Sequence, residues 1–195
     1  MERRASVLSL LNSARAPLRV PELFDSPTRL ESDCPNDQQI SNMSTEAAAR
    51  IFFSSPLFAV VGASSNPAKF GHKIFAWYHA QSIAATPVNP TAATVTALGQ
   101  EHAAVPNLSA LPRPKETSVS IITPPAATLK VLKEARELGI PAVWLQPGSF
   151  DDAVIAYARE EGAFNAVVAG DGGRGHEGWC VLVDGERALK AAGKL

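Results

Sequence analysis

The chain has 195 residues, of which 46% are hydrophobic and 19% are charged, and its formal net charge is −1. This composition predicts one globular domain and excludes a disordered or fibrous chain. A near-neutral balance argues against a nucleic-acid-binding domain, which needs excess basic charge to neutralise phosphates. No apolar run approaches the roughly 20 residues needed to cross a bilayer. Two cysteines, Cys34 and Cys180, are too few for a disulfide framework, so we expect a cytoplasmic protein.

The first 43 residues differ from the rest of the chain. Residues 1–20 carry four arginines and three serines against a single acid, Glu2. An Arg-rich, Ser-rich start is the composition of a mitochondrial presequence, which makes the mitochondrial matrix the alternative location. Prolines and acids follow and offer little for a core. We therefore predict a disordered extension or presequence over 1–43 and a single domain over 44–195; a working start at Met43 is the other interpretation.

Strand and helix patterns alternate from Thr45 onward. A short helix over 45–53 precedes the run at 57–61, which is apolar on both faces, as is typical of a parallel strand covered on both sides. The best helix lies over 126–138, where apolar residues recur at spacings of three and four before a terminating glycine. The other predicted elements are a helix over 71–82, strands over 83–88, 117–123, 141–146 and 163–169, a helix from 151 or 152 to about 161, a short element over 179–183 and a last helix over 186–192. Between 91 and 115 we predict a turn-rich connection with a short strand over 102–105 and a helical turn over 108–111.

This alternation predicts a three-layer, doubly wound, mostly parallel α/β sheet of the Rossmann-like type. We expect the strand order 3-2-1-4-5, because the loop after the first strand must lie where the strand order reverses. Such sheets bind ligands at the carboxyl ends of their strands. The loops that follow the strands are therefore the candidates for a binding site.

The loop after the first strand has features that suit phosphate. It reads Gly-Ala-Ser-Ser-Asn-Pro-Ala-Lys from 62 to 69. Gly62 permits a sharp turn, and Ser64 and Ser65 offer hydroxyls and amides. The following helix presents unpaired N–H groups and a partial positive charge, to which Lys69 adds a full charge. The alternative is a plain strand–helix turn whose serines cap the helix.

The same loop departs from the dinucleotide fingerprint. That fingerprint, G-x-G-x-x-G, is followed by an acid near the end of the second strand. Here Ser64 and Pro67 stand at the second and third glycine positions, and the second strand ends in Asn89-Pro90. The nucleoside triphosphate motif G-x-x-x-x-G-K-[ST] is also missing from the sequence. An NAD(P)-binding oxidoreductase, or another nucleotide-using enzyme, is therefore the alternative rather than the first hypothesis.

Three segments together carry a family resemblance: AVVGAS at 59–64, PVNP at 87–90 and VWLQPG at 143–148. In this order and spacing they resemble the stand-alone CoA-binding domain proteins, the YccU-like family, over roughly residues 56–183. The fold is similar to the CoA-binding domain at the start of the succinyl-CoA synthetase alpha subunit. The resemblance implies a domain that binds coenzyme A or an acyl-CoA, in a non-catalytic binding, carrier or sensor role.

The resemblance also implies how the CoA lies along the strand ends. The diphosphate rests at the first loop, the adenosine half is flanked at the end of the second strand, and the pantetheine runs past the later loops. These loops supply amides, hydroxyls and small apolar walls without an acid that would repel a polyphosphate. The implied cofactor-binding residues are Gly62, Ala63, Ser64, Ser65, Lys69, Asn89, Pro90, Thr123, Pro124, Gln146 and Gly148.

Neither catalytic residues nor metal ligands are predicted. No Ser-His-Asp order, activated cysteine motif or carboxylate pair stands out, and the acids and histidine near Cys180 lack paired-ligand spacing. The glycine-rich stretch 170–178 departs from the family pattern and predicts a mobile loop or a backbone nest for an anion. The expected partner is a small-molecule CoA ligand, without nucleic acid or membrane.

Overall fold

The computed structural model describes residues 43–170, 173–174 and 178–195. The predicted extension or presequence, apart from Met43, and most of the glycine-rich stretch 170–178 therefore lie outside the described residues. The helices are α1 (Thr45–Ser54), α2 (Phe70–Ala80), α3 (Pro125–Glu137), α4 (Asp152–Ala158) and α5 (Val181–Ala191). The strands are β1 (Leu57–Val61), β2 (Ala85–Val88), β3 (Thr94–Ala97), β4 (Gln100–Ala103), β5 (Thr117–Ile121), β6 (Ala142–Leu145) and β7 (Ala166–Val168), and two 3-10 turns, η1 (Leu108–Ala110) and η2 (Pro114–Glu116), precede β5.

Five parallel strands form the central sheet in the order β2-β1-β5-β6-β7. The predicted doubly wound α/β class is confirmed. The order differs in detail from 3-2-1-4-5: counted in chain order within this sheet it is 2-1-3-4-5, because β5 pairs with β1 rather than with the outer edge of β2. That outer edge receives Val105, which forms a parallel bridge with Val88. The strand order still reverses at β1, so the loop after β1 lies at the switch point, as predicted.

Helices cover both faces of the sheet, and β1 shows why. Phe58 and Val60 face an apolar cluster that includes residues of α1, α2 and α5. Ala59 and Val61 face a second cluster with residues of α3, α4 and η1. All four side chains are at most 6% exposed. A strand buried on both faces explains the continuous apolar run in the sequence, and the two clusters establish the predicted three layers.

Helix α3 follows the predicted amphipathic pattern. Thr128, Leu132 and Ala135 are buried against the sheet. Gly139, with φ 70°, follows the end of the helix, as expected for a terminating glycine. The predicted start of α4 is confirmed as well, because the side chain of Asp151 accepts a hydrogen bond from the N–H of Val154 at 2.9 Å.

The region 91–115 differs from the prediction. In place of a short strand over 102–105, β3 and β4 form an antiparallel hairpin. Leu98 and Gly99 join the two strands with φ values of 50° and 74°, the positive values that a two-residue hairpin turn requires at both positions. Leucine is rare at such a position, and β4 is polar, so the sequence carries little hairpin signal. The helical turn predicted over 108–111 is confirmed as η1.

The C-terminal region differs too. The predicted short element over 179–183 is not a strand, and the last helix begins at Val181 instead of residue 186. Trp179, Val181 and Leu189 are buried. The apolar residues around 180 therefore belong to the start of an amphipathic helix. Periodicity alone cannot distinguish a strand from the start of a helix in so short an apolar run. Within the part of the chain that the structure describes, every helix is too short or too polar for a membrane span.

Candidate functional site

The loop after β1 is held in shape by its own backbone and short side chains. Gly62 has φ 90°, which favours glycine, and its N–H donates to the carbonyl of Val88 at 3.1 Å. The N–H of Asn66 donates to Ser64 Oγ at 3.2 Å, and Asn66 Oδ1 accepts from the N–H of Ala68 at 2.9 Å. Such side-chain turns fix a loop conformation. The loop is thereby tied to the end of β2 and closed on itself.

The first turn of α2 lies directly on this loop because position 71 is a glycine. A Cβ built on Gly71 would lie 1.9 Å from the carbonyl oxygen of Gly62. Close packing of a helix on the preceding turn is the role of the third glycine in the dinucleotide fingerprint. Here that glycine follows the first by nine positions instead of five, so the spacing in the sequence conceals it.

The N-terminus of α2 lacks a side-chain cap. Lys69 occupies the N-cap position and makes no side-chain capping hydrogen bond, so the N–H groups of the first turn have no side-chain partner there. His72 Nδ1 lies 3.0 Å from the carbonyl oxygen of Ser64. Because a carbonyl only accepts, Nδ1 carries the proton, and the helix thereby fixes the serine of the loop. The partial positive charge of the helix and the Lys69 ammonium both favour an anion.

Asn89 joins the end of β2 to the loop. Its Nδ2 donates to the carbonyl of Ala63 at 2.9 Å. Its Oδ1 accepts from the N–H and Oγ1 of Thr91, both at 2.9 Å, and from the N–H of Ala92 at 3.1 Å. The side chain must both donate and accept, which an amide does and a carboxylate does not. An amide thus occupies the strand end where a dinucleotide-binding domain carries its ribose-binding acid.

A groove of about 290 Å³ opens at the carboxyl ends of β1 and β2. Its volume is near the lower end of the roughly 300–1,000 Å³ that is typical of ligand pockets. Its walls include residues of α3 and residues of the segment 106–108, which leads into η1. Among its lining residues are seven of the predicted site residues: Gly62, Ala63, Ser64, Lys69, Asn89, Pro90 and Thr123.

The wall from α3 was not predicted. It consists of Ala127, Val131 and Glu134, which recur at spacings of four and three and so share one side of the helix. That side adjoins the buried face of the same helix. From sequence alone, the rim of a core face and the wall of a groove look the same.

Four predicted site residues lie outside the groove. Ser65 Oγ accepts a hydrogen bond from the N–H of Thr96 at 2.9 Å and holds the β3–β4 hairpin beside the loop. Pro124 is the N-cap of α3. Gly148, with φ 82°, lies in the turn after β6. Gln146 is the fourth.

Gln146 is fully buried at the carboxyl end of β6. Its Nε2 donates to Ser120 Oγ at 2.9 Å, and its Oε1 accepts from the N–H of Val181 at 3.0 Å. The side chain therefore connects β5, β6 and the first turn of α5. Buried polar groups of this kind need their partners, so the amide is committed to the fold.

A pair of histidines holds the hairpin to α2. The ring centroids of His79 and His102 lie 4.1 Å apart, and both rings meet Phe75 edge-on, at 4.6 and 5.1 Å. The two Nε2 atoms are buried and have no hydrogen-bond partner among the described residues. Burial, followed by the proximity of His102, lowers the pKa of His79 below its ordinary value, against a hydrogen bond with the backbone of Ala85. The β3–β4 hairpin, which Ser65 holds beside the loop, therefore also packs on α2 through the ring of His79, whose uncharged form is favoured.

A parallel sheet with a glycine-built turn, an uncapped helix N-terminus at the switch point and a groove beside it is the arrangement typical of Rossmann-like α/β domains. Comparison with protein families makes this specific. Residues 57–171 match the model of a family described as CoA binding domain. The match covers more than half of the chain, and the chain belongs to this CoA-binding domain family.

Solved structures share the fold. A hypothetical protein from Pyrococcus horikoshii OT3 superposes with a TM-score of 0.61 and 23% identity, covering 77% of this chain and 95% of that chain. A protein from Thermus thermophilus gives a TM-score of 0.58 and 23% identity, covering 75% and 99%. A conserved hypothetical protein from Pyrococcus furiosus gives 0.50 and 29%, covering 58% and 94%. None of the curated proteins matches the chain.

Proposed function

We propose that the groove binds coenzyme A or an acyl-CoA, with the diphosphate at the 62–65 loop and the first turn of α2. One observation carries the proposal: the segment that matches the CoA-binding family contains an uncapped helix N-terminus and Lys69 at the mouth of the groove. Unpaired N–H groups, a helix dipole and a lysine are the groups that bind phosphate in proteins.

The size of the groove supports a division of the ligand. A groove of about 290 Å³ encloses the nucleotide end. The pantetheine arm then runs outside it, along the strand ends toward the turn that contains Gly148. In this proposal Gln146 serves by holding that turn, since Ser149 donates to the Gln146 carbonyl through its N–H at 3.0 Å and its Oγ at 2.7 Å.

The lining of the groove supports binding rather than catalysis. It consists of backbone, hydroxyl, amide and apolar groups together with Lys69 and Glu134, and it includes neither histidine nor cysteine. Nucleophilic catalysis requires a nucleophile beside its base. We therefore propose a carrier or sensor role. An NAD(P)-dependent enzyme is not favoured, because the amide of Asn89 is needed where that function requires an acid.

Calorimetric titration with CoA, acetyl-CoA, NAD and NADP tests the proposal. We expect binding of a CoA compound and weaker binding of both dinucleotides. In a Ser64→Asp variant the new carboxylate would lie beside the diphosphate. Like charges about 4 Å apart repel by about 4 kcal/mol at an effective dielectric of 20. A third of that energy already lowers affinity about tenfold.

Ser64→Asn is the matched control, because it has nearly the same size without the charge. Both side chains keep an oxygen that can accept from the N–H of Asn66. Undiminished CoA affinity in the aspartate variant would remove the diphosphate from this loop. Preferential binding of NAD or NADP to the unaltered protein would overturn the proposed function as a whole.

A further inference from the structure

Groups of opposite charge line the groove from the two layers of the fold. Lys69 and the N-terminus of α2 belong to the layer that packs against one face of the sheet. Glu134 lies on α3, which packs against the opposite face. From Ala127 to Glu134 the wall extends about 10 Å along the helix at 1.5 Å per residue. A ligand that fills the groove therefore meets cationic groups from one layer and a carboxylate from the other.

The Glu134 carboxylate is held in one orientation. Its Oε1 accepts from the N–H of Ser109 at 2.9 Å and from Ser109 Oγ at 2.7 Å. Its Oε2 makes no hydrogen bond or ion pair with any residue that the structure describes. One oxygen thus fixes the side chain, and the other remains an acceptor in the wall of the groove.

A fixed carboxylate restricts which ligand groups can lie next to it. It accepts hydrogen bonds and cannot donate them, and it repels phosphate and carbonyl oxygens. The neighbouring lining is mostly apolar, with Pro106, Leu108 and Val131. Asn107 also lines the groove, and its Oδ1 accepts from the N–H of Ala110 at 3.2 Å. Apolar walls suit a flat ring, and the acceptor suits an amino group on the edge of that ring.

We propose that Glu134 selects the base of the ligand by accepting a hydrogen bond from the exocyclic amino group of adenine. The inference rests on the proposed function, since it requires the diphosphate at the 62–65 loop, and it goes further by assigning the residue that recognises the base. Hypoxanthine, which carries a carbonyl oxygen in place of that amino group, is rejected by the same carboxylate. A site built to hydrogen-bond a ligand group discriminates strongly against the analogue that lacks it.

Calorimetry with CoA and its hypoxanthine analogue tests the inference. The unaltered protein should prefer CoA by at least about tenfold, the range expected of a hydrogen bond to a charged group. In Glu134→Gln, the amide oxygen stays with the N–H of Ser109, so the amide nitrogen replaces Oε2. This substitution turns the acceptor into a donor and should reverse the preference toward the hypoxanthine analogue.

Two further variants complete the test. Glu134→Ala removes the acceptor and should bring the affinity ratio of the two compounds close to one. Glu137→Ala, an exposed position on the same helix outside the groove, should leave the ratio unchanged. Equal binding of both compounds to the unaltered protein, or an unchanged ratio in both Glu134 variants, would overturn the inference while leaving the proposed function intact. If neither compound binds the unaltered protein, the proposed function fails first and the inference fails with it.

Discussion

Replacing Gly71 with alanine tests whether the contact between α2 and the loop builds the site. In an open helical position this change stabilises a protein by roughly 0.5–1 kcal/mol, because alanine is the better helix former. At Gly71 the new Cβ would lie 1.9 Å from the carbonyl oxygen of Gly62, whereas real Cβ atoms stay beyond 3.0 Å. The new Cβ is fixed to the backbone of α2, and the Gly62 oxygen belongs to the backbone of the loop. Relief of the contact therefore requires α2 to move away from the loop by roughly 1 Å. Overpacking of this kind costs about 1–3 kcal/mol, and the upper part of that range outweighs the gain in helix propensity.

Thermal unfolding and CoA titration measure the two consequences. A net loss of about 2 kcal/mol lowers Tm by about 4–8 °C in a domain of this size, and the displaced helix should bind CoA at least about tenfold more weakly. Gly185→Ala is the matched control. Its Cβ would be similarly crowded, but by the far end of the Trp77 ring, which can shift without moving the backbone of α2. Gly185 itself lies in α5 and does not line the groove. We expect both variants to unfold at lower temperature and only Gly71→Ala to lose affinity. A Gly71→Ala protein with a higher Tm and full CoA affinity would refute the reasoning.

Asn89→Asp should destabilise the protein by about 1–3 kcal/mol, because the carbonyl of Ala63 loses its donor and faces a carboxylate oxygen. Thermal unfolding measures this loss of stability. A gain in NAD affinity in the variant would instead favour the dinucleotide alternative. The pKa of His79 is lowered by burial and by His102, so the folded chain favours the neutral ring. The resulting stability is complete above the ordinary histidine pKa of 6.5 and is lost as the pH falls through the folded-state pKa. Urea unfolding across this range should show the loss in the unaltered protein and a flatter profile in His79→Phe, and identical profiles would contradict the assignment.

Local signals sufficed for the part of the site around β1. A strand buried on both faces leaves a continuous apolar run, and a turn glycine at its end marks where the chain must bend. The uncapped start of α2 follows in the same short stretch. For these reasons Gly62, Ser64 and Lys69 could be predicted to line one site, and the structure brings them together in the groove.

The rest of the site depends on contacts between distant segments. Whether Val131 lies at the rim of the core or in the wall of a groove is decided by the packing of the segment before η1, which no periodicity encodes. The role of Gly71 comes from the approach of two backbones nine residues apart. The strand order differs in detail from the prediction for a similar reason. The outer edge of β2 pairs only with Val105, through an isolated bridge, and β5 pairs with β1 instead.

The elements outside the family match have a consequence for how the chain folds during synthesis. Helix α1 precedes the matched segment 57–171, yet it packs on β6 and β7, and its Phe52 and Phe53 meet Trp144 with ring centroids 5.5 and 5.7 Å apart. Helix α5 packs beside it from the other end of the segment. The apolar side of α1 therefore leaves the ribosome about a hundred residues before β7 is made, and during that time it lacks its native partners in β6, β7 and α5. A fragment cut at the bounds of the family match would expose the same face of the sheet permanently, so the smallest unit to express for binding studies must include both helices.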